Sequence, residues 1–317
     1  VLITLALNMV NAFVCVIYFA MIWAVCDIIS WGISKYRHQV FKHYYAGMAA
    51  LVLSVLALAS GWYLDHHVWQ KNYTLTTSKK IAPLKIALFA DSHTGTTFDA
   101  KGFRQHLQAI QAQNPDMLII AGDFVDDDTS KEDMILTSQA LGAFKSKYGV
   151  YFVFGNHDNG YYPPDYRGFG GKELVAELEK NRIRVLRDEA VLVADNFYVI
   201  GRRDFSEVKE KKGSRKSMQE LVQGLDKNTY MLVMDHQPTD FQKQAEAEVD
   251  LVVSGHTHGG QLFPFNHVGE WIGANDLVYG YERRHKTDFI VTSGLSDWAI
   301  KFKTGTRSEF VIINLSY

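Results

Sequence analysis

The most distinct hydrophobic pattern of the chain is a pair of long apolar runs in its N-terminal quarter. Between Val1 and Cys26 the strongly polar side chains are Asn8 and Asn11, and residues 45–64 carry no charged side chain. At about 1.5 Å per residue, a helix of either length can cross a hydrocarbon core about 30 Å thick. Neither run has the polar face that a core helix of a soluble protein presents to water. The pattern therefore predicts two transmembrane helices, over residues 1–27 and 45–64.

Positive charges beside the two runs predict how the protein is oriented. The loop between the runs carries Lys35, Arg37 and Lys42 close to the membrane edge, and the three lysines that follow the second run lie further from it. Basic residues near a membrane favour the cytoplasmic side. We therefore predict a multi-pass cell-membrane protein with an extracytoplasmic C-terminal domain. A cleaved signal peptide is not expected, because no basic segment precedes the first run and no Ala-x-Ala site follows it.

After the second run the pattern changes to short apolar runs that alternate with helical periodicity. Residues 65–82 are polar and predict a tether, which leads into a domain at residues 83–317. Apolar residues spaced as on one helix face predict helices over residues 99–113 and 130–147. Strands are predicted at residues 84–90, 116–121, 149–154, 183–186, 191–194, 197–200, 230–234, 251–253, 289–292 and 310–314. This alternation predicts an α/β domain with a mostly parallel sheet covered by helices.

Composition narrows the function classes for this domain. The chain of 317 residues has 33 basic and 35 acidic side chains, a net charge of −2, so no nucleic-acid partner is expected. Its two cysteines, Cys15 and Cys26, both lie in the first apolar run. The α/β domain therefore has neither a disulfide framework nor a thiolate metal site.

Five of the predicted strands are followed directly by Asp, His or Asn residues. These segments read DSH (91–93), GDFVD (122–126), GNHD (155–158), DH (235–236) and GHTHGGQ (255–261). Open α/β sheets bind ligands at the carboxyl ends of their strands. A single Asp in such a position is more often a helix cap, and two histidines on one glycine loop can be unrelated surface residues. Five such segments together predict a metal centre with imidazole and carboxylate ligands.

These five segments, in this order and spacing, resemble the calcineurin-like metallophosphoesterases over residues 84–317. The GHTHGGQ segment, together with the apolar N-terminus, is most similar to a bacterial membrane-anchored branch that includes enzymes similar to UDP-2,3-diacylglucosamine hydrolases. The resemblance implies a four-layer α/β/β/α metallophosphoesterase sandwich, here preceded by two transmembrane helices. It also implies that further spans precede Val1.

The resemblance further implies a site for two divalent metal ions, which can be Mn, Fe, Zn or Co. It assigns Asp91, His93 and His258 to one ion, Asn156, His236 and His256 to the other, and Asp123 to a bridge between them. A carboxylate can be shared between cations about 3.5 to 4 Å apart, the separation that a two-metal hydrolase uses.

Two neighbouring residues receive catalytic roles from the same resemblance. A hydroxide shared by the two metal ions would attack phosphorus, while His157 faces the phosphate and stabilises charge or protonates the leaving oxygen. Asp158 would hold the His157 ring in the useful tautomer. Asp126 would orient a ligand or cap the following helix.

The predicted function is a membrane-anchored, dinuclear metal-dependent phosphoesterase. It would hydrolyse a phosphodiester, pyrophosphate or phosphomonoester bond, on a lipid-linked or envelope substrate. Its expected partners are that substrate and the membrane, and no protein partner is inferred. The alternative is a catalytically inactive scaffold or binding protein of phosphoesterase fold at the membrane, against which the intact set of ligands argues.

Two further segments are open to two interpretations each. Residues 161–169 are rich in tyrosine and follow the GNHD turn, so they predict either a substrate-facing lid or an ordered surface loop. Residues 202–217 are rich in arginine and lysine, and indicate either a solvated loop or a basic rim that contacts anionic lipid head groups or substrate phosphates.

Overall fold

The protein consists of two long N-terminal helices followed by a domain with two six-stranded sheets. A computed structural model describes residues 2–194, 196–209 and 214–317. The helices are α1 (Leu2–Arg37), α2 (Tyr45–His66), α3 (Ala100–Gln111), α4 (Lys131–Gly142), α5 (Gly171–Lys180), α6 (Phe205–Lys209), α7 (Met218–Val222), α8 (Phe241–Glu246) and α9 (Val268–Trp271). The strands are β1 (Trp69–Thr76), β2 (Leu84–Phe89), β3 (Met117–Ala121), β4 (Val150–Val153), β5 (Ile183–Val185), β6 (Glu189–Val193), β7 (Phe197–Gly201), β8 (Tyr230–Met234), β9 (Leu251–Ser254), β10 (Gly280–Arg284), β11 (Thr287–Val291) and β12 (Glu309–Ser316).

Helices α1 and α2 form a hairpin at the N-terminal end of the chain. Residues Met9–Arg37 and Tyr45–His66 are long and apolar enough to cross a membrane, judged by length and composition. Tyr44 connects the two helices, since its hydroxyl accepts from Trp23 Nε1 and donates to Asp27 Oδ1, both at 2.6 Å. Helix α1 continues ten residues beyond the predicted end at residue 27, and its last turn carries basic side chains, which the helix dipole favours.

The two sheets are mostly parallel and lie face to face. The first has the strand order β1-β12-β2-β3-β4-β5 and the second β10-β11-β9-β8-β7-β6. Antiparallel pairs occur between β12 and β2, between β10 and β11, and between β6 and β7. Because parallel strands need crossover connections, the helices lie on the sheet faces.

One apolar core lies between the sheets and two more lie under the helices. Ile86 and Ile119 of the first sheet belong to the same buried cluster as Leu232 and Val253 of the second. Phe103 and Leu107 of α3 pack on the outer face of the first sheet and form a second cluster. Met218 of α7 and Phe241 of α8 pack on the outer face of the second sheet and form a third. The layers therefore run α/β/β/α, and the predicted four-layer sandwich is confirmed.

The predicted tether is wrong for residues 69–76, because these residues form strand β1. The strand pairs in parallel with β12 at every position, from Trp69 opposite Glu309 to Thr76 opposite Ser316. Its side chains alternate between exposed and less exposed positions, and Leu75 is buried. The alternation of every second residue that is typical of a strand was present in the sequence. Many of the alternating residues are polar, so the composition of the segment indicated a tether instead. Strand β10 was missed as well.

The arginine-rich segment at residues 202–217 is held partly inside the domain. Arg202 Nη1 lies 2.8 Å from Asp235 Oδ2, and Arg215 Nη2 lies 2.6 Å from the same oxygen. Both arginine side chains are almost fully buried, so they neutralise Asp235 and face neither water nor lipid head groups. The predicted rim or solvated loop is therefore wrong for these two residues. Lys211 and Lys212 lie outside the described residues.

Strand β1 gives the first testable expectation. A soluble fragment of residues 83–317 lacks β1, exposes the edge of β12 and loses the burial of Leu75. We expect it to melt at a lower temperature and to aggregate more than a fragment of residues 67–317, as measured by thermal unfolding and size-exclusion chromatography. Equal melting temperatures and monomeric elution for both fragments would contradict a structural role for β1.

Candidate metal centre

The seven predicted metal ligands lie together at the carboxyl ends of five strands, three from the first sheet and two from the second. Asp91 and His93 follow β2, Asp123 follows β3, Asn156 follows β4, His236 follows β8, and His256 and His258 follow β9. The two sheets therefore each contribute part of the site, and the edge predicted from the sequence is the one at which the side chains meet.

Unusual backbone conformations aim these side chains at one another. Asp91, His93, Asp123, His256 and His258 all have positive φ values, between 36° and 72°. A residue other than glycine in this region costs on the order of 1–3 kcal/mol and persists only where the surrounding structure enforces it. Strained backbone at five of the seven predicted ligands is typical of a functional site.

Two glycines leave room for the buried carboxylates. A Cβ atom at Gly155 would lie 2.1 Å from Asp123 Oδ1, and one at Gly255 would lie 2.4 Å from Asp91 Oδ2. No side chain can be accommodated at such distances, so the glycines of the GNHD and GHTHGGQ segments are required by contact with the carboxylates.

The first group of ligands consists of Asp91, His93 and His258. His93 Nε2 and His258 Nε2 each lie 4.0 Å from Asp91 Oδ1, and ligand atoms of all three residues lie within 4.8 Å of one another. His93 Nε2 is buried and has no hydrogen-bond partner. An unpaired polar atom is costly in such a place, and a bound cation would satisfy it.

The second group consists of Asp123, His236 and His256, with Asn156 beside them. His236 Nε2 lies 3.1 Å from Asp123 Oδ2 and 3.1 Å from Asn156 Oδ1. The His236 and His256 rings are 5.1 Å apart. Carboxylate, imidazole and amide donors therefore converge on a second point that fits a metal ion of the borderline transition series.

Asp123 stands between the two groups. Its Oδ2 atom lies 3.1 Å from His236 Nε2 and 3.8 Å from His93 Nε2, while its Oδ1 atom accepts the backbone N–H of His157 at 2.8 Å. A single oxygen, Oδ2, therefore faces both groups.

Hydrogen bonds at Nδ1 fix the orientation of three ligand rings. His93 Nδ1 lies 2.9 Å from Asp126 Oδ2, His236 Nδ1 lies 2.8 Å from the Ala121 carbonyl, and His258 Nδ1 lies 3.1 Å from the Ser296 carbonyl. Each of these oxygens accepts a hydrogen bond from the Nδ1–H group, so Nε2 keeps its lone pair for a metal. These contacts fit the donor set of a metal site.

Burial and charge set the protonation of the ligands. Burial lowers the pKa of His256 and of His258 to about 3, which leaves both imidazoles neutral, as metal ligands must be. Burial also lowers the pKa of His93, but Asp126, Asp123 and Asp91 raise it more strongly, to about 9. His93 therefore holds a proton among three carboxylates, and a cation placed there would displace it.

The predicted role of Asp158 is wrong. Its carboxylate accepts backbone N–H groups of Asp123, Phe124, Val125 and Gly155 at 2.7–3.1 Å, so it organises two turns and does not contact the His157 ring. Asp126 takes the predicted role instead, because its Oδ1 atom lies 3.2 Å from His157 Nδ1. Of the two roles proposed for Asp126, orientation of a ligand agrees with these contacts, while the cap of α4 is Ser130.

Aromatic side chains surround His157, two of them from the tyrosine-rich segment and one, Trp298, for which the sequence predicted no role at the site. A cavity of about 580 Å³ beside the ligands is lined by Tyr161, Tyr162 and Trp298. The His157 ring lies 4.9 Å from the Tyr161 ring and 5.4 Å from the Trp298 ring. Tyr161 also orients a ligand, since its hydroxyl accepts from Asn156 Nδ2 at 2.8 Å and so turns Asn156 Oδ1 towards His236.

The tyrosine-rich loop at residues 161–169 is fastened to the site by Arg167. This buried side chain donates from Nη2 to the Asp158 carbonyl at 2.7 Å and from Nη1 to the Asp126 carbonyl at 3.0 Å. The loop is therefore ordered, and it lines the cavity through Tyr161 and Tyr162. Its tyrosine content and its position after the GNHD turn were the signals in the sequence, and neither pointed to Arg167.

Comparison with known families agrees with this geometry. Residues 84–260 match the calcineurin-like phosphoesterase family. The chain belongs to this family. The prediction of a metallophosphoesterase is thereby confirmed at the level of the family.

Relatives of this phosphoesterase come from bacteria and animals. The chain is 29% identical over 238 residues to an uncharacterized metallophosphoesterase of Campylobacter jejuni, covering 73% of the chain and 59% of the relative. It is 28% identical over 235 residues to a transmembrane protein with metallophosphoesterase domain of Bos taurus, covering 71% and 51%. An uncharacterized metallophosphoesterase of Aquifex aeolicus is 34% identical over 197 residues, covering 61% and 70%. The chain thus spans less than two thirds of the first two relatives.

The glycine contacts can be tested by substitution. Gly155→Ala would drive its methyl group into Asp123 Oδ1, so we expect the phosphoesterase to lose most of its bound metal, as measured by elemental analysis after dialysis. Gly149→Ala is the matched control, because Gly149 has a φ of 89° and nothing within 4 Å of its Cβ position. The control should lose on the order of 1–3 kcal/mol of stability and keep its metal. Equal metal content in both variants would argue against the contact.

Proposed function

We propose that the protein is a membrane-embedded phosphoesterase that holds two divalent cations and hydrolyses a phosphate ester of a lipid-linked substrate. The observation that carries this proposal is the position of Asp123, whose Oδ2 atom faces both a His93 group and a His236 group. Two such groups with one shared carboxylate fit a pair of cations. A structural metal site needs only one cation and four ligands, so it does not explain this arrangement.

The residues of the two groups would hold these cations, which can be Mn, Fe, Zn or Co. Asp91, His93 and His258 would hold one, Asn156, His236 and His256 the other, and Asp123 both. Cations bound there would supply Lewis acidity and lower the pKa of water. The protein contributes a dry setting, since Asp91, His93, Asp123 and His236 are fully or almost fully buried.

His157 is placed to act on the phosphate. Its Nδ1 atom contacts Asp126 Oδ1, which leaves Nε2 outside this contact, and the residue lines the cavity. A ring held in this way can donate a hydrogen bond to a phosphate oxygen or a proton to the leaving oxygen. Asp126 contacts both His157 and His93, so one carboxylate positions a candidate acid and a candidate ligand together.

The location of the cavity supports a substrate at the membrane. Trp298 and Ala299 line the cavity, and Asn11 of α1 donates from Nδ2 to the Ala299 carbonyl at 2.7 Å. Asn11 Oδ1 also accepts the Lys301 N–H at 2.9 Å. Because α1 is a candidate membrane span, this loop joins the cavity to the membrane region. A substrate anchored in the bilayer would reach the site without leaving the bilayer. This raises the effective concentration of the substrate at the site.

The alternative function is an inactive scaffold at the membrane, which would not require the polar side chains of the site. The unpaired Nε2 of His93 and the strained ligand backbone are costs that a scaffold would not need to retain. These features favour an enzyme.

An extracytoplasmic location of the domain stays a prediction, which reporter fusions after residue 64 and in the loop between α1 and α2 would test.

A histidine exchange separates catalysis from metal binding. We expect His157→Asn to keep its metal content and to lose at least about 10²-fold in kcat on bis-p-nitrophenyl phosphate, because the candidate proton donor is removed. His285→Asn is the matched control, since His285 lies in the exposed turn between β10 and β11 with a φ of 54°, which Asn tolerates. Unchanged kcat in His157→Asn would refute the role, and lost metal would make His157 a ligand.

The nature of the substrate needs a different comparison. The full chain in lipid nanodiscs would be given a lipid-linked pyrophosphate in the same bilayer, or its short-chain water-soluble analogue. We expect kcat/KM at least about 10-fold higher for the bilayer-held substrate, and no turnover of either by Asp123→Asn. Equal kcat/KM values for the two substrates would refute the proposal of a lipid-linked substrate but not the proposal of a phosphoesterase. Metal-loaded protein without turnover of any phosphate ester would favour the scaffold.

A further inference from the structure

Three buried charged side chains connect the end of α2 to the metal centre. Asp65, the penultimate residue of α2, is 1% exposed, and Asp297 and Lys303 are fully buried. None of the three is one of the predicted ligands, and Asp65 belonged to the predicted tether. Buried charges cost several kcal/mol each unless they are paired, so a cluster of three calls for a function.

The cluster reaches the metal centre through Asp297. Its Oδ1 atom lies 3.1 Å from Nδ1 of the predicted ligand His258 and 3.2 Å from Lys303 Nζ. Lys303 Nζ also donates to the Ser293 carbonyl at 2.7 Å. Nδ1 of His258 donates its hydrogen bond to the Ser296 carbonyl, and the Asp297 carboxylate beside it adds a negative charge behind the ring. Contacts of this kind behind a ligand imidazole commonly change metal affinity by about 10- to 100-fold.

The cluster reaches the membrane region through Asp65. Its carboxyl group lies close enough to that of Asp297 and to the Lys303 ammonium for their charges to interact, and its Oδ2 atom accepts from Thr97 Oγ1 at 3.4 Å. Asp65 thus lies beside Asp297, and the Oδ1 atom of Asp297 lies beside Nδ1 of His258.

The backbone of α2 is fixed to the same region. The Gly61 carbonyl accepts the Lys303 N–H at 3.0 Å, and the Leu64 carbonyl accepts the Ser308 N–H at 2.9 Å. A Cβ atom at Gly61 would lie 3.0 Å from the Lys303 carbonyl oxygen, so the helix and the segment before β12 touch directly. An anchor alone would need only apolar packing here, and these polar contacts hold α2 in one position relative to the site.

We propose that Asp65 is a positioning residue of the metal centre, through which the end of α2 sets the orientation of His258 by way of Asp297 and Lys303. This inference rests on the proposed metal site. It gives α2 a role beyond anchoring, because the candidate membrane span supplies part of the frame that holds a ligand. The predicted consequence is that metal affinity depends on a residue of the membrane region.

Cobalt binding to the full chain tests this inference. The protein in nanodiscs would be stripped with a chelator and titrated with Co²⁺, whose visible absorption reports the number and geometry of its ligands. Asp65→Asn keeps the size of the side chain and removes its charge. Asp27→Asn is the matched control, because Asp27 belongs to the same helical hairpin and accepts its hydrogen bond from Tyr44 rather than from a residue of the metal centre. Thermal unfolding of each variant would be recorded alongside.

We expect Asp65→Asn to bind one Co²⁺ about 10-fold more weakly and to change the absorption spectrum, while Asp27→Asn matches the wild type. In the Asp297→Asn background, Asp65→Asn should add nothing, because the two residues act in series. Gly61→Ala leaves every charge in place but moves the helix, and should weaken Co²⁺ binding as well. It serves as the test if Asp65→Asn does not fold.

Two failures are distinguishable. Wild-type protein that binds no Co²⁺ would refute the metal site and this inference together. Wild-type protein that binds Co²⁺ while Asp65→Asn has the same affinity and spectrum, or while the Asp65 and Asp297 effects are simply additive, would refute this inference alone. If Asp65→Asn does not fold, wild-type affinity in Gly61→Ala would refute it likewise.

Discussion

The Asp123 carboxylate imposes the main constraint on this molecule, because it must stay ionised in a dry space between two sheets. Burial raises its pKa, yet His236, His157 and His93 lower it further, to well below the usual value. An isolated carboxylate in such a place would cost several kcal/mol. The glycine at position 155, the N–H group of His157 and the ring of His236 are all arranged around this one charge.

The same charge explains how the two sheets are joined. Asp123 follows β3 of the first sheet and His236 follows β8 of the second, so their contact crosses the sandwich. His236 Nδ1 returns across the same gap to the Ala121 carbonyl, and the His256 N–H bonds Asp91 at 3.0 Å. Apolar packing between the sheets sets their separation, and these polar contacts set their register at the site.

Much of this arrangement was predictable, because strand ends and glycine turns are local features of a sequence. These features singled out the segments that carry the candidate ligands from Asp91 to His258, and the resemblance of those segments to a known family supplied the ligand set and the four layers. The role of Asp126 in place of Asp158 was not, since it depends on which carboxylate points outward from a turn. Trp298 and Arg167 were missed for a related reason. Their contacts join segments distant in sequence, and no local pattern marks such pairs.

The membrane region shows the limit of composition most clearly. Residues 65–82 are polar, and a polar stretch after an apolar helix is normally a flexible linker. Here only His67 and Val68 separate α2 from β1, and two residues span at most about 7 Å even when extended. So short a connection, with Asp65 buried at one end and β1 paired at the other, gives the domain no freedom to swing. The cavity beside Trp298 therefore keeps one position relative to the helices, and the proposed substrate would have to present its phosphate there.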